Sequence, residues 1–282
     1  MSDDRIVLIT GTSSGIGLAA AVAAAQAGWH TVATMRDTSR DTALRATAQA
    51  AGVSGRIEVR PLDVTDAASV DACIVGVVAD HGRLDAVINN AGAGHIGTIE
   101  QETVARVRAV MEVNFFGVVQ VTRAALPHLR ASRGRLITIT SVGGVIGQPF
   151  NEAYCAAKFA VEGFMEALAP VAASTGVRVT VVEPGAVASE FVSNVVQGQA
   201  ITGADAGPYA PALTAYLERT RAQFAHAAQT PADAAMTIIA ALTVESPAFR
   251  MQTSDGARAF VRLKMADLDG AAVIGMTTGW IS

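Results

Sequence analysis

Tyr154 and Lys158 stand four apart in Tyr154-Cys155-Ala156-Ala157-Lys158, a spacing that on a helix puts both side chains on one face, a turn from each other. Three tyrosines and two lysines in 282 residues would meet at this spacing by chance about 0.02 times, so the pair asks for a chemical reason. The basic residues divide into 19 arginines and two lysines, Lys158 and Lys264. A compact ammonium kept in so arginine-rich a chain marks a position where a bulky planar guanidinium would fail. A free tyrosine titrates near 10 and carries protons poorly at neutral pH. A neighbouring ammonium favours the phenolate, which would make Tyr154 a usable general acid for a carbonyl oxygen and a general base for an alcohol.

A second constellation opens the chain. The apolar run Ile6–Thr10 leads directly into Gly11-Thr12-Ser13-Ser14-Gly15-Ile16-Gly17, followed by an alanine-rich helical stretch. Glycines in such a turn let the backbone approach a pyrophosphate, whose charge then meets the free N–H groups and positive end of the helix. The string alone also describes a strand-to-helix turn with no ligand. The strand before it and the helix after it supply the context a nucleotide site requires. At the end of the second strand, where users of NAD carry a carboxylate for the ribose hydroxyls, this chain has Met35, followed by Arg36, with Arg40 close behind and Ser13 available in the turn. A guanidinium suits a 2′-phosphate because its fork donates two hydrogen bonds at once, although Asp37 could partly neutralise Arg36. NADP is the expected cofactor, with NAD the lesser alternative.

The spacing Gly-x-x-x-Gly-x-Gly after Thr10 resembles the fingerprint of the short-chain dehydrogenase/reductase family. The resemblance continues in order through Asp63, Asn89-Asn90-Ala91-Gly92, Asn114, Ser141, Tyr154, Lys158 and Pro184-Gly185, over most of residues 5–190. It implies that Gly11, Ser13, Ser14, Gly15, Ile16 and Gly17 cradle the cofactor, that Asp63 and Val64 meet its adenine, and that Asn90, Ala91 and Gly92 border it. It implies that Pro184, Gly185 and Val187 hold the nicotinamide carboxamide, with Ser189 standing where the family commonly has threonine. Ser141 would orient the substrate. The backbone carbonyl of Asn114 would anchor a water linking Lys158 to solvent. With the positive ring of an oxidised nicotinamide beside Lys158, Tyr154 is expected to titrate well below its usual value. Hydride would pass directly between cofactor and substrate carbon.

The stretches Val32–Asp37 and Pro247–Thr253 look similar to the branch containing 17β-hydroxysteroid and retinol dehydrogenases. They point to a lipophilic ketone, aldehyde or alcohol that is steroid-, retinoid- or polyketide-like. The alternative from another class is a non-catalytic NADP-binding redox sensor on the same fold, although such relatives usually lack the Tyr or the Lys. The resemblance also implies a homodimer or homotetramer packed through two long helices.

The elements that must position these groups alternate between short aliphatic runs and longer helix-compatible stretches, the pattern of an α/β fold with a doubly wound parallel sheet. Six strands are expected, at Arg5–Thr10, Thr31–Met35, Arg56–Pro61, Ala86–Asn89, Gly134–Thr140 and Val177–Val182. Helices are expected near Gly15–Ala27, Ser69–Asp80, Val104–Leu129, Ala153–Ser174 and Pro231–Val244. Residues 1–282 read as one domain with a dinucleotide-binding core over 5–185 and a helix/strand extension over 230–282. The irregular stretch 186–229 between them reads as a mobile substrate flap in preference to a pair of short helices.

Composition narrows the function classes. Hydrophobic residues make 51% of the chain and charged ones 16%, which excludes a disordered chain. Cys73 and Cys155 cannot build a disulfide framework or a paired-cysteine metal site. The five histidines show no metal-like clustering in the sequence, so no metal is expected, and His95 reads as a surface loop residue in preference to one that borders the substrate. A net charge of −4 offers no basic field for nucleic acid. No apolar run reaches the roughly 18 residues of a membrane span, and the acidic start lacks a signal layout, so a cytoplasmic protein is expected.

Overall fold

The computed structural model describes residues 5–188 and 206–281. Among them seven parallel strands form one sheet: β1 (Ile6–Thr10), β2 (His30–Met35), β3 (Ile57–Pro61), β4 (Ala86–Asn89), β5 (Arg135–Ile139), β6 (Arg178–Glu183) and β7 (Arg250–Gln252), in the order β3-β2-β1-β4-β5-β6-β7. The central strands β1, β4 and β5 are largely apolar because helices cover both faces. Along β1 the side chains divide with a period of two: Ile6 and Leu8 enter one core, Val7 and Ile9 the other. The first core is closed by α3 (Ala67–His81), by the long helix Val104–Ser132 and by α6 (Glu152–Ala173). The second is closed by α1 (Gly15–Gln26), by α2 (Thr42–Ala50) and by α8 (Pro231–Thr243). Small side chains set that second interface. Ala20, Ala21 and Ala24 of α1 pack in the same cluster as Ala235, Ile238 and Ala241 of α8.

The long helix runs as α4 (Val104–Met111), a π-helical turn (Glu112–Phe116) and α5 (Gly117–Ser132). Among the described residues it is the one helix long and apolar enough to cross a membrane. Here its stripe Val118, Val121, Ala125 and Leu129 is buried in the core beneath the sheet.

The chain winds outward from β1 to β3 and then returns to start again at β4, so the strand order reverses between β1 and β4 and opens a crevice at their carboxyl ends. Ligands of open α/β sheets bind at such a switch point.

Three expectations need correction. The sheet has a seventh strand, β7, whose three residues are too few to show a period. Helix α2, Thr42–Ala50, is a further element, and it buries only Leu44 and Ala48. Within the expected irregular flap, Ala210–Ala227 forms an 18-residue helix, α7, that fully buries only Leu213 and Tyr216. Residues 189–205 of that stretch lie outside the described residues. Beyond β7 follow α9 (Asp255–Ala266), whose cap Ser254 accepts from the Ala257 N–H at 3.1 Å, and α10 (Ala271–Thr278).

The edge strand β7 is tied down by charge. Arg250 reaches Glu166 at 2.7 Å and Glu162 at 3.2 Å on α6, and Glu183 on β6 at 3.4 Å, while the Gln252 amide donates to Glu183 at 2.8 Å. Burial pushes the Glu162 carboxyl up to about 7 and raises that of Glu183 as well.

Candidate active site

A cavity of about 680 Å³ lies over the carboxyl ends of the central strands. It is bordered at one end by the glycine turn and Arg36, at the middle by Asn90, Ser141, Tyr154 and Lys158, and at the other end by α7 and Trp280. Of the residues singled out above, Asn114 stands behind the cavity wall and Ser189 lies outside the described residues. Gly11, Ser13, Ser14, Gly15, Ile16, Gly17, Asp63, Val64, Ala91, Gly92, Pro184, Gly185 and Val187 all border it.

The glycine turn is shaped by close approach. Gly11 holds φ +71°, and a Cβ there would come within 2.8 Å of the Ala91 Cα. At Gly17 a Cβ would collide with the Gly11 carbonyl and the Asn90 amide. Only glycine fits both places, and the space left beside the α1 N-terminus is a backbone cradle suited to a pyrophosphate. The end of β4 braces the turn. Asn90 donates from Nδ2 to the Thr10 and Gly11 carbonyls, both at 2.9 Å, and the Asn90 and Ala91 N–H groups donate to the Thr10 hydroxyl at 3.0 Å.

At the adenosine end, Arg36 and Arg40 are exposed, and neither forms an ion pair among the described residues. Asp37 does not neutralise Arg36. Its carboxylate accepts from the Ser39 N–H at 3.0 Å and hydroxyl at 2.7 Å, which holds it below the usual carboxylate range. Asp63 stays ionised too: the Thr65 N–H and hydroxyl donate to it, and Arg36 adds a favourable charge.

The groups expected to transfer the proton converge from β5 and α6. Ser141, just after β5, caps a short turn by accepting from the Gly143 N–H at 2.9 Å, and its hydroxyl shares a hydrogen bond with that of Tyr154. One turn along α6 the Lys158 ammonium is buried. It donates to the Ile139 carbonyl at 3.1 Å, leaving two of its three donors for other partners, and lies 5.9 Å from the centre of the Tyr154 ring.

The expected depression of Tyr154 is reversed on the protein's own groups. Burial outweighs the Ser141 hydrogen bond and pushes the hydroxyl up to about 12, while the same burial, opposed by Glu162, brings Lys158 down to about 8. Near pH 7 Tyr154 is therefore a loaded proton donor beside a cation. Both cysteines are buried, and burial pushes each thiol up to about 11, so neither is a reactive thiolate.

Asn114 sits in the π-helical turn, a widened turn frequent at functional sites. Its amide donates to the Ala93 carbonyl at 2.9 Å and the Val110 carbonyl at 3.0 Å and accepts from the Ala93 N–H at 3.1 Å, fixing the loop after β4. A Cβ at Gly92 would lie 2.9 Å from the Asn114 amide oxygen and 3.6 Å from the Lys158 nitrogen, so the loop is pinned where those two groups meet.

Two histidine expectations fail. His95 is buried, borders the cavity and meets Glu102 at 2.9 Å. His30 and His81 come together on Glu58 of β3, at 3.5 and 2.9 Å, because the start of β2 and the end of α3 lie side by side. That cluster lies at the start of β2, the end of the strand away from the cavity, and Arg60 already bonds its carboxylate. From the expected substrate flap, Tyr216, Arg219 and Gln223 of α7 do border the cavity, whereas the sequence gives no sign that Phe260, Met276 and Trp280 near the chain end complete the wall. Those three are joined to the site only in three dimensions.

A cradle for pyrophosphate and a tyrosine beside a buried lysine within one crevice define a dinucleotide-dependent oxidoreductase. Comparison with known proteins makes this specific. A family model described as short chain dehydrogenase matches residues 5–200. Retinol dehydrogenase 8 of Bos taurus is 34% identical over 277 residues, covering 96% of this chain and 88% of that protein. Estradiol 17-beta-dehydrogenase 1 of Rattus norvegicus is 36% identical over 279 residues, covering 96% and 80%. Among solved structures, a short-chain dehydrogenase from Streptomyces avermitilis superposes with a TM-score of 0.76 at 30% identity, covering 99% of both chains. The chain belongs to the short-chain dehydrogenase family, in the branch of the retinol and 17β-hydroxysteroid dehydrogenases, and is a nicotinamide-dependent oxidoreductase acting on CH–OH groups.

Proposed function

We propose that the protein interconverts a lipophilic ketone or aldehyde with its alcohol using NADP(H), with Ser141, Tyr154 and Lys158 as the catalytic residues. The observation that carries this reading is the pairing of the Ser141 and Tyr154 hydroxyls over the buried Lys158 ammonium, inside a cavity that also holds the glycine cradle. The reduced nicotinamide supplies the hydride. Ser141 and Tyr154 hold the carbonyl oxygen, and the neutral Tyr154 delivers its proton to that oxygen as negative charge develops there. The Lys158 ammonium opposes the cost of the phenolate left behind, and Asn114 fixes the loop against which both work. Residues 5–185 hold the cofactor, and the segments on either side of α8 close the substrate end, so the chain acts as one domain. A panel of lipophilic ketones, aldehydes and alcohols with each cofactor, followed at the nicotinamide absorbance, tests the reading; no turnover of any member contradicts it.

The preference for NADP rests on Met35 in the place of a ribose-binding carboxylate and on Arg36 and Arg40 exposed and unpaired among the described residues. A metagenomic short-chain oxidoreductase 26% identical to this chain was solved in complex with NADP. Arg36→Ala is expected to lower kcat/KM for NADPH by roughly 10- to 100-fold and that for NADH by less than threefold, since only the former carries the phosphate. An unchanged ratio of the two contradicts the assignment.

A pH dependence follows from Lys158. Its folded value of about 8 leaves it charged below that pH and neutral above it. Carbonyl reduction should therefore run level from about pH 6 to 7.5 and fall toward tenfold per pH unit above 8. A level profile to pH 9.5 in kcat/KM would show that the charge of Lys158 is not required.

Assembly into a homodimer or homotetramer belongs to the same reading. An apolar groove between α5 and α6 is lined by Val119, Leu126, Pro127, Phe164 and Leu168, and Phe116 and Phe159 are exposed beside it.

A further inference from the structure

The substrate end of the cavity is apolar within and cationic at its rim. Its inner wall is built from Val142, Phe260, Met276 and Trp280, with Phe260 and Trp280 stacked at 5.8 Å. Across from them α7 is docked by Tyr216, whose hydroxyl accepts from the Asn151 amide at 2.8 Å, three residues before Tyr154. One turn further along, Arg219 lies with its guanidinium 5.0 Å over the Trp280 ring, and Gln223, four residues on, borders the cavity from the same helix face. Both are exposed. Among the described residues Arg219 has no carboxylate partner. The other cations of the cavity are committed elsewhere, Arg36 and Arg40 to the adenosine end and Lys158 to the catalytic centre.

We propose that Arg219, assisted by Gln223, binds a carboxylate on the substrate, so that the preferred substrate is an amphiphile: an apolar body inside the chamber, its reacting carbonyl at Tyr154, and a single negative charge at the mouth. A guanidinium over an aromatic face is pre-positioned at little cost in side-chain freedom and presents a two-donor fork matched to the two oxygens of a carboxylate. The absence of a second cation on the described wall of this end favours one charge over a doubly charged phosphate. Being at the rim, the contact sets specificity more than it sets the rate of the chemical step.

This inference rests on the oxidoreductase reading above, and the test separates the two. The probes are 12-oxododecanoate and its methyl ester, reduced with NADPH by the wild-type protein and by Arg219→Gln and Arg219→Lys. The wild type is expected to favour the acid by about 10-fold in kcat/KM, a preference that shrinks at 0.5 M salt. Arg219→Gln should remove that preference by raising KM for the acid while leaving the ester within twofold, and Arg219→Lys should keep part of it. NADPH affinity, read by its fluorescence, should be unchanged in both variants. Equal use of acid and ester by the wild type, equal loss of both in Arg219→Gln, or weakened NADPH binding in that variant overturns the proposal. If neither probe nor any other carbonyl is reduced, the oxidoreductase reading falls. Titration of the same pair into NADP+-loaded protein, followed by tryptophan emission, then decides on Arg219 alone: acid bound tighter than ester only when Arg219 is present upholds it, and any other pattern overturns it.

Discussion

Tyr154→Phe is expected to bind NADPH as the unaltered protein does and to lose carbonyl reduction by roughly 10²- to 10⁴-fold. The substitution removes one oxygen from a half-buried ring and leaves its packing against Gly143, where a Cβ would lie 3.4 Å from that ring. The proposed cofactor site, the glycine turn braced by Asn90 with Arg36 at its far end, keeps all of its own side chains in this variant. What disappears is a donor that burial keeps protonated, its hydroxyl titrating at about 12. The loss should sit in kcat more than in KM, because Ser141 still offers a hydroxyl to the carbonyl. Reduction at near-normal rates by the variant, measured with any active substrate, would remove Tyr154 from the mechanism.

The second large effect concerns stability. Arg250→Met should destabilise the fold by about 3–5 kcal/mol at pH 8, seen as a drop in Tm of roughly 10 °C, because two buried carboxylates lose their counter-charge. Glu162 and Glu183 are almost fully enclosed, and each has an oxygen with no hydrogen-bond partner among the described residues. Arg250 is within 3.4 Å of that Glu183 oxygen, but the contact is too bent for a hydrogen bond and supplies charge alone. The sign of the pH effect is fixed by Glu162. Its folded value of about 7 lies above the ordinary carboxylate range, so the proton it binds stabilises the fold at low pH and that contribution is lost as pH rises through 7. The cost of Arg250→Met should therefore be smaller at pH 5.5, where Glu162 is already neutral, than at pH 8. Equal costs at the two pH values, from chemical denaturation, would show that the carboxylates are not the source.

The parts of the site that the sequence discloses are those made by local spacing. Tyr154 and Lys158 are four apart on one helix, and the glycine turn is contiguous with the strand and helix that aim it, so a one-dimensional reading finds them. The aliphatic central strands disclose the parallel sheet for the same reason, being buried on both faces. What is hidden arises from long-range contact. His95 reads as a loop residue until Glu102 and the cavity wall enclose it, and His30 and His81 meet only because the start of β2 lies beside the end of α3. Helix α7 hides because its two fully buried residues, Leu213 and Tyr216, make too short a stripe. The Tyr154 shift divides in the same way: the ammonium four residues away is visible in the sequence, whereas the burial that pushes the hydroxyl up on the protein's own groups is a property of the assembled cavity.

The central claim is direct hydride transfer to a carbonyl carbon with Tyr154 as proton donor. The measurement that tests it most directly is reduction of an active ketone or aldehyde with NADPH carrying deuterium at C4 on one face or the other, with the alcohol analysed by mass spectrometry and NMR. The predicted result is one deuterium on the carbinol carbon from one face of the cofactor only, none from solvent deuterium oxide, and none in Tyr154→Phe beyond its residual turnover. Product without the label from either face, or with label exchanged from solvent, would contradict the account.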